Sequence, residues 1–179
     1  MSQRIHIVGA SSSGTTTLGA ALAGRLGVKH LDTDNYFWEA TDPPFTTKRP
    51  EAERVAMMEA EVAGEPSWVI SGSLIGWGDV FVPRFDLVVF LHVPHAVRMA
   101  RLMARERARY GAAIEPGGAM HAAHLEFLAW AQAYETPGFP GRSLERHRAW
   151  LAALTCPVVE IVGAPSLDES VARVLASAG

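Results

Sequence analysis

Short apolar runs alternate with longer amphipathic stretches along this chain. Ile5 to Val8, Val28 to Leu31, Trp68 to Ile70, Leu87 to Leu91 and Val158 to Val162 read as strands. Leu87-Val88-Val89-Phe90-Leu91 is apolar throughout, as expected of a strand covered on both faces of a parallel sheet. Between the runs, Thr15 to Leu26 carries Leu18, Ala21, Leu22 and Leu26 on one helical face and is followed by Gly27 as a stop. Glu51 to Ala63, Ala96 to Tyr110, His121 to Tyr134, Ser143 to Leu154 and Leu167 to Ala176 also read as helices. Three prolines between Thr41 and Pro50 predict a loop, and Gly111 to Gly118 is a glycine-rich break. The alternation predicts an α/β fold, a parallel sheet flanked by helices, in one domain over residues 1–179. Ligands of such sheets gather at the carboxyl ends of the strands, so the residues after each strand are the candidates for chemistry.

The first strand runs directly into Gly9-Ala10-Ser11-Ser12-Ser13-Gly14-Thr15-Thr16-Thr17. Two glycines with four small residues between them and a helix after them form the layout of a phosphate-binding loop. A phosphate needs several N–H donors converging on a small volume, and glycines and small side chains let the backbone approach it. The helix start adds its free N–H groups and the positive end of its dipole. Thr16 holds the hydroxyl position that ligates Mg²⁺ in such loops, whereas Thr15 stands where they carry a lysine. The plain alternative is a glycine-rich turn with no ligand.

The second strand ends in Asp32-Thr33-Asp34. Residues two apart on an extended chain face the same way, so both carboxylates point towards the loop if the strands are neighbours. Asp32 is a candidate metal ligand or acceptor contact, and Asp34 a candidate base or acceptor anchor. Either one can instead cap a helix starting near Asn35. Ser71 and Ser73 follow the third strand, where they can position a substrate or simply shape a turn. After the fourth strand, Arg98, Arg101, Arg105 and Arg109 fall within about 80° of one another at about 100° per residue. Such a stripe suits a clamp on phosphate, with Arg101 and Arg105 as its catalytic members, or else a solvated face. Arg142 and Arg146, four apart near a later helix start, are candidates for phosphate contact and Lys48-Arg49 for an anionic acceptor, or else all are plain surface. His121 and His124 sit three apart without a metal-binding pattern around them. Leu125, Phe127, Leu128 and Trp130 are expected to pack in the core or in a lid, and a base can lie against Gly163-Ala164-Pro165.

Composition narrows the partners. Of 179 residues, 49% are hydrophobic, which suits a packed core, and the formal net charge of −3 argues against a nucleic-acid polymer as ligand. A single cysteine, Cys156, leaves no intrachain disulfide and fits a reducing compartment. Ile5 to Val8 is too short for a signal peptide, and no run has membrane-spanning length, so a soluble cytoplasmic protein is expected.

The loop at Gly9 to Thr17, the arginine-bearing helix and the turn at Gly163 resemble the phosphate-loop kinases related to adenylate and other nucleoside monophosphate kinases. The resemblance spans nearly the whole chain. It implies a five-stranded parallel sheet in the order 2-3-1-4-5, a helical lid over roughly 111–142, and ATP with Mg²⁺ bound at Gly9 to Thr17. It also implies phosphoryl transfer to a small-molecule acceptor, a nucleoside monophosphate first, with Arg101 and Arg105 at the base of the lid. Asp32-Thr33-Asp34 is more similar to the shikimate and gluconate kinase branch, whose acceptors are small hydroxylated molecules. Thr15 in place of lysine and Ser71-Gly72-Ser73 in place of Asp-Gly-Phe-Pro-Arg are the departures. They also admit a nucleotide-binding module without turnover. A serine hydrolase is disfavoured, because the chain has no G-x-S-x-G elbow.

Overall fold

A computed structural model describes residues 3–178. Five parallel strands pair in the order β2-β3-β1-β4-β5: β1 is Arg4–Gly9, β2 Lys29–Asp32, β3 Trp68–Ser71, β4 Leu87–His92 and β5 Val158–Val162. The seven α-helices are α1 Thr15–Leu26, α2 Asp34–Phe37, α3 Glu51–Val62, α4 His95–Tyr110, α5 His121–Gln132, α6 Leu144–Ala152 and α7 Leu167–Ser177. Fold class, strand order and helix positions agree with the expectation. Two local elements do not follow from periodicity: the single turn α2, and a 3₁₀ helix over Asp79–Arg84 that contains Pro83.

Alternation along each strand divides the core in two. Ile5, Ile7, Val89 and Leu91 pack with Leu18 and Leu22 of α1 and Val174 of α7. Val8, Ile70, Val88 and Phe90 pack on the other face with Met58 of α3 and Leu151 of α6. Both faces of the central strands are therefore dry, which is why their sequences are nearly all apolar. His6 is the exception on β1. It is fully buried, stacks on Phe85 at 4.9 Å and meets Trp150 edge-on at 5.7 Å. α1 stops where Gly27 adopts a left-handed φ of 68° and its N–H bonds back to Ala23.

The segment after α4 folds back over the sheet's carboxyl edge. Phe127, Leu128 and Trp130 pack against Met99, Leu102 and Ala131, as expected, while Leu125 is 51% exposed and does not. A second tie is polar. Arg98 is 1% exposed, donates from Nε to the Val93 carbonyl and pairs with Glu135 at 2.6 Å. Its guanidinium also lies 4.7 Å from the Tyr134 ring, and the Tyr134 hydroxyl bonds His147 Nδ1 at 2.6 Å. Arg98 thus leaves the expected arginine stripe, because it sits where α4 leaves the sheet and its charge is used inside the fold. Among the described residues no helix is long and apolar enough to cross a membrane.

Burial pushes the imidazoles of His6 and His147 down to about 3. An unfolded chain returns them to about 6.5. The folded state keeps both rings neutral, so below pH 6.5 only the unfolded state gains these protons. Stability from these groups is complete above 6.5 and falls continuously as pH drops towards 3, by up to about 1.4 kcal/mol per pH unit per group. Urea midpoints should therefore fall between pH 7 and pH 5, a window above the range of the ion-paired carboxylates, and His6→Phe should flatten that fall. Equal midpoints at pH 7 and pH 5 would refute this.

Candidate active site

The site is built where β1, β2 and β3 end together. The Gly72 N–H bonds the Ile7 carbonyl and the Thr33 N–H bonds the Ser71 carbonyl, so three strand ends open onto one space. β1 delivers the loop Gly9 to Gly14 into it. A Cβ on Gly9 would lie 2.5 Å from Ser13 Oγ and 2.8 Å from the Leu91 carbonyl oxygen, so only glycine fits there. Gly14 has φ 98°, which turns the chain into α1. The first-turn N–H groups of α1 have no helical acceptor. Ser12 Oγ and Ser13 Oγ are buried without a hydrogen-bond partner. Free donors, a helix start and unpartnered hydroxyls make the loop a cradle fitted to a polyanion.

Two hollows meet at this loop. The larger, about 330 Å³, is lined by Gly9 to Ser12, Thr15, Thr16, Asp32, Asp34 and Ser73 on the sheet side. Arg105 and Arg109 of α4 and Arg142 ahead of α6 line it from the other side. Phe37, Trp38, Phe45, Tyr110, Phe127 and Trp130 add aromatic surface to its lining. The smaller, about 200 Å³, lies beyond the loop between Ser13, Gly14, Thr17, Arg101 and the turn Gly163-Ala164-Pro165.

Charges in the larger cavity act on one another. Burial lifts the Asp34 carboxyl above its ordinary range, and neighbouring Asp32 lifts it further, while Arg142, Arg105 and Arg109 oppose the shift. Burial lowers the guanidinium groups of Arg105 and Arg142, though arginine stays charged. Asp32 also works locally, its Oδ1 accepting from the Asp34 N–H at 3.0 Å at the start of α2. Asp32 and Thr16 offer one carboxylate and one hydroxyl beside the phosphate cradle. That oxygen set suits Mg²⁺, which takes few protein ligands and completes its shell with phosphate and water.

Several expected residues are placed elsewhere. Ser71 is fully buried beneath α1, where its hydroxyl lies 2.9 Å from His30 Nε2, and it does not line the cavity. The close approach of Gly19 brings α1 down onto this pair. Arg49 donates to the carbonyls of Asn35 and Tyr36, closing the end of α2 instead of facing an acceptor. Lys48 lies 5.9 Å from the Phe37 ring, and Arg146 donates to the Pro140 carbonyl. Arg101 borders the smaller hollow, where Nη1 donates to the Ser13 carbonyl at 3.5 Å, so Arg101 and Arg105 face different sides of the loop. The sequence reading missed Glu106 and the aromatic walls and set His124 aside, yet all of them line the larger cavity. The aromatic run Tyr36-Phe37-Trp38 directly after Asp34 was the available signal.

No protein-family model matches the chain. The uncharacterized protein YqaC of Bacillus subtilis (strain 168) is 45% identical over 98% of this chain and 97% of its own length. A cytidylate kinase of Pyrococcus horikoshii is 32% identical over 112 residues, 57% of this chain and 57% of that protein. Among solved structures, a shikimate kinase from Bacteroides thetaiotaomicron superposes with a TM-score of 0.55 at 22% identity, covering 98% of this chain and 97% of that one. A gluconokinase from Sinorhizobium meliloti superposes with a TM-score of 0.51 at 16% identity, covering 98% and 94%. The chain thus has the fold of the phosphate-loop kinases, and it belongs to the family of the Bacillus subtilis protein YqaC.

Proposed function

We propose that the chain is a kinase that moves the γ-phosphoryl group of Mg·ATP onto a nucleoside monophosphate in the larger cavity. One observation carries this reading: the glycine-rich loop, three arginines and several aromatic rings border a single space. In phosphoryl transfer the protein mainly positions groups and neutralises charge. Gly9 to Thr17 hold the ATP phosphates, and the hollow against Gly163-Ala164-Pro165 takes the nucleoside of ATP. Bound between Thr16 and Asp32, Mg²⁺ would offset charge on the terminal phosphates. Arg109 and Arg142 receive the acceptor's anionic group, and the aromatic walls receive its ring. The segment 111–142 serves as the lid that excludes water. The partial match to cytidylate kinases supports the same acceptor class.

The absent lysine has substitutes on this reading. Arg101 reaches the loop carbonyl of Ser13, and Arg105 lines the cavity together with Thr15. Both side chains approach the loop from α4, so closure of the lid bears on both.

Asp34 favours a second reading. A phosphate acceptor is already ionised and needs no base, whereas a hydroxyl acceptor does. A carboxyl lifted above its ordinary range beside the cradle suits that base. The acceptor would then be a small hydroxylated acid, its carboxylate on the same arginines.

Turnover of ATP against nucleoside monophosphates and against small hydroxy acids separates the readings. Nucleotides should be phosphorylated, with Asp34→Asn changing kcat only modestly. Phosphorylation of a hydroxy acid, with Asp34→Asn lowering kcat by about 10²-fold, would install the second reading. ATP binding without transfer to any acceptor would leave a binding module.

Arg101→Ala and Arg105→Ala should each lose about 2–4 kcal/mol of transition-state stabilisation in kcat/KM, with melting temperature little changed. Lysine at either position should rescue only in part, since it lacks the bidentate fork. Full kcat/KM in both alanine variants would remove the arginines from the lysine's task.

A further inference from the structure

Glu106 follows Arg105 on α4, and only 4% of its surface is exposed. It lines the larger cavity together with His124 of α5. Its ion-pair contacts are 3.9 Å to Arg109 Nη1 and 3.6 Å to His124 Nδ1. Neither is short and aligned enough to be a hydrogen bond. His124 Nδ1 is itself buried and has no hydrogen-bond partner. The cavity wall therefore holds a buried ring nitrogen without a hydrogen-bond partner and a carboxylate whose two ion-pair contacts are longer than hydrogen bonds. Phe127, one turn along α5 from His124, adds a flat apolar surface to the same cavity and stacks with Trp130 at 5.8 Å between ring centroids.

Unmet capacity of this kind is costly in a cavity wall unless an entering molecule meets it. An ionised carboxylate only accepts hydrogen bonds, so the group that meets Glu106 must donate. A planar ring against Phe127 presents its edge groups, and an amino substituent donates where an oxo substituent would set lone pair against lone pair. We propose that Glu106, held in place by Arg109 and His124, accepts a hydrogen bond from an exocyclic amino group of the acceptor's base. The cavity then takes aminopyrimidine and aminopurine nucleotides in preference to their oxo counterparts. This rests on the nucleoside monophosphate reading above. Glu106 is a specificity-determining residue on this account, and His124 a positioning residue.

The test is kcat/KM for CMP against UMP and for AMP against IMP, each with saturating Mg·ATP. At least one pair should favour its amino member by about tenfold or more, the scale of one well-matched edge contact. Glu106→Gln presents a donor as well as an acceptor and should bring that ratio to within about threefold. His124→Ala should lower the ratio in the same direction by less. If Glu106→Gln does not fold, Glu106→Asp draws the carboxylate back by one methylene and should likewise lower the ratio. A general structural lesion would depress amino and oxo substrates alike and leave the ratio unmoved, which would overturn the role of Glu106. Equal use of amino and oxo nucleotides by the unaltered chain would also overturn it while the nucleotide reading stands. Turnover of a hydroxy acid with none of the four nucleotides used would overturn both.

Discussion

The pairing of β1 with both β3 and β4 is the constraint on which the rest depends. Parallel registry brings the strands out at one edge, and the backbone bonds from Gly72 to Ile7 and from Thr33 to Ser71 fix where each chain leaves the sheet. The phosphate cradle, the carboxylates after β2 and the turn after β3 therefore open into one volume. β2 follows the loop in sequence, yet its end reaches the loop only through β3, which pairs with both β1 and β2. Closeness of the core sets the same limit. Glycine at 9 lets the loop pass Ser13 and Leu91, and glycine at 19 lets α1 settle onto His30 and Ser71.

A concentration of charge follows from this geometry. Arg105, Arg109 and Arg142 share a partly enclosed space with Asp32 and Asp34, and Glu106 lies beside Arg109 on α4. Like charges on α4 tolerate each other because the carboxylates lie among them. Buried Arg98 is spent differently, on Glu135 and a backbone carbonyl, and so joins the start of α4 to the end of the overlying segment. The helix has two functions along its length: its base anchors, and its later turns present charge to the cavity.

The strands, helices and their order were legible in the chain. Period-2 and period-3.6 patterns are local, and burial on both faces of β4 leaves a short, continuous apolar run rich in β-branched and aromatic residues, which suits a central strand. The turn of the glycine-rich loop was legible for the same reason, since its backbone path demands glycine at positions 9 and 14. Asp34 was legible as the residue two past a strand end. The segment around α2 was not, because a single turn has no period and its position depends on Arg49, which donates to the Tyr36 carbonyl, and on Arg54, which lies 4.0 Å over the Phe37 ring.

What the sequence determined by itself was the fold class, the cradle and a supply of arginines on α4. Which arginine faces what was decided only by tertiary structure. A helical wheel gives Arg98, Arg101 and Arg105 nearly one direction, yet the surroundings change along the axis. Arg98 meets the interior, Arg101 meets the far side of the loop, and Arg105 meets the larger cavity. Ser71 was diverted by the close packing of α1, and Arg49 by the free carbonyls of α2. Glu106 and His124 became neighbours only when α5 folded back across α4. Local pattern fixes the direction of a side chain from its own element, whereas the partner it finds there is fixed by elements distant in sequence.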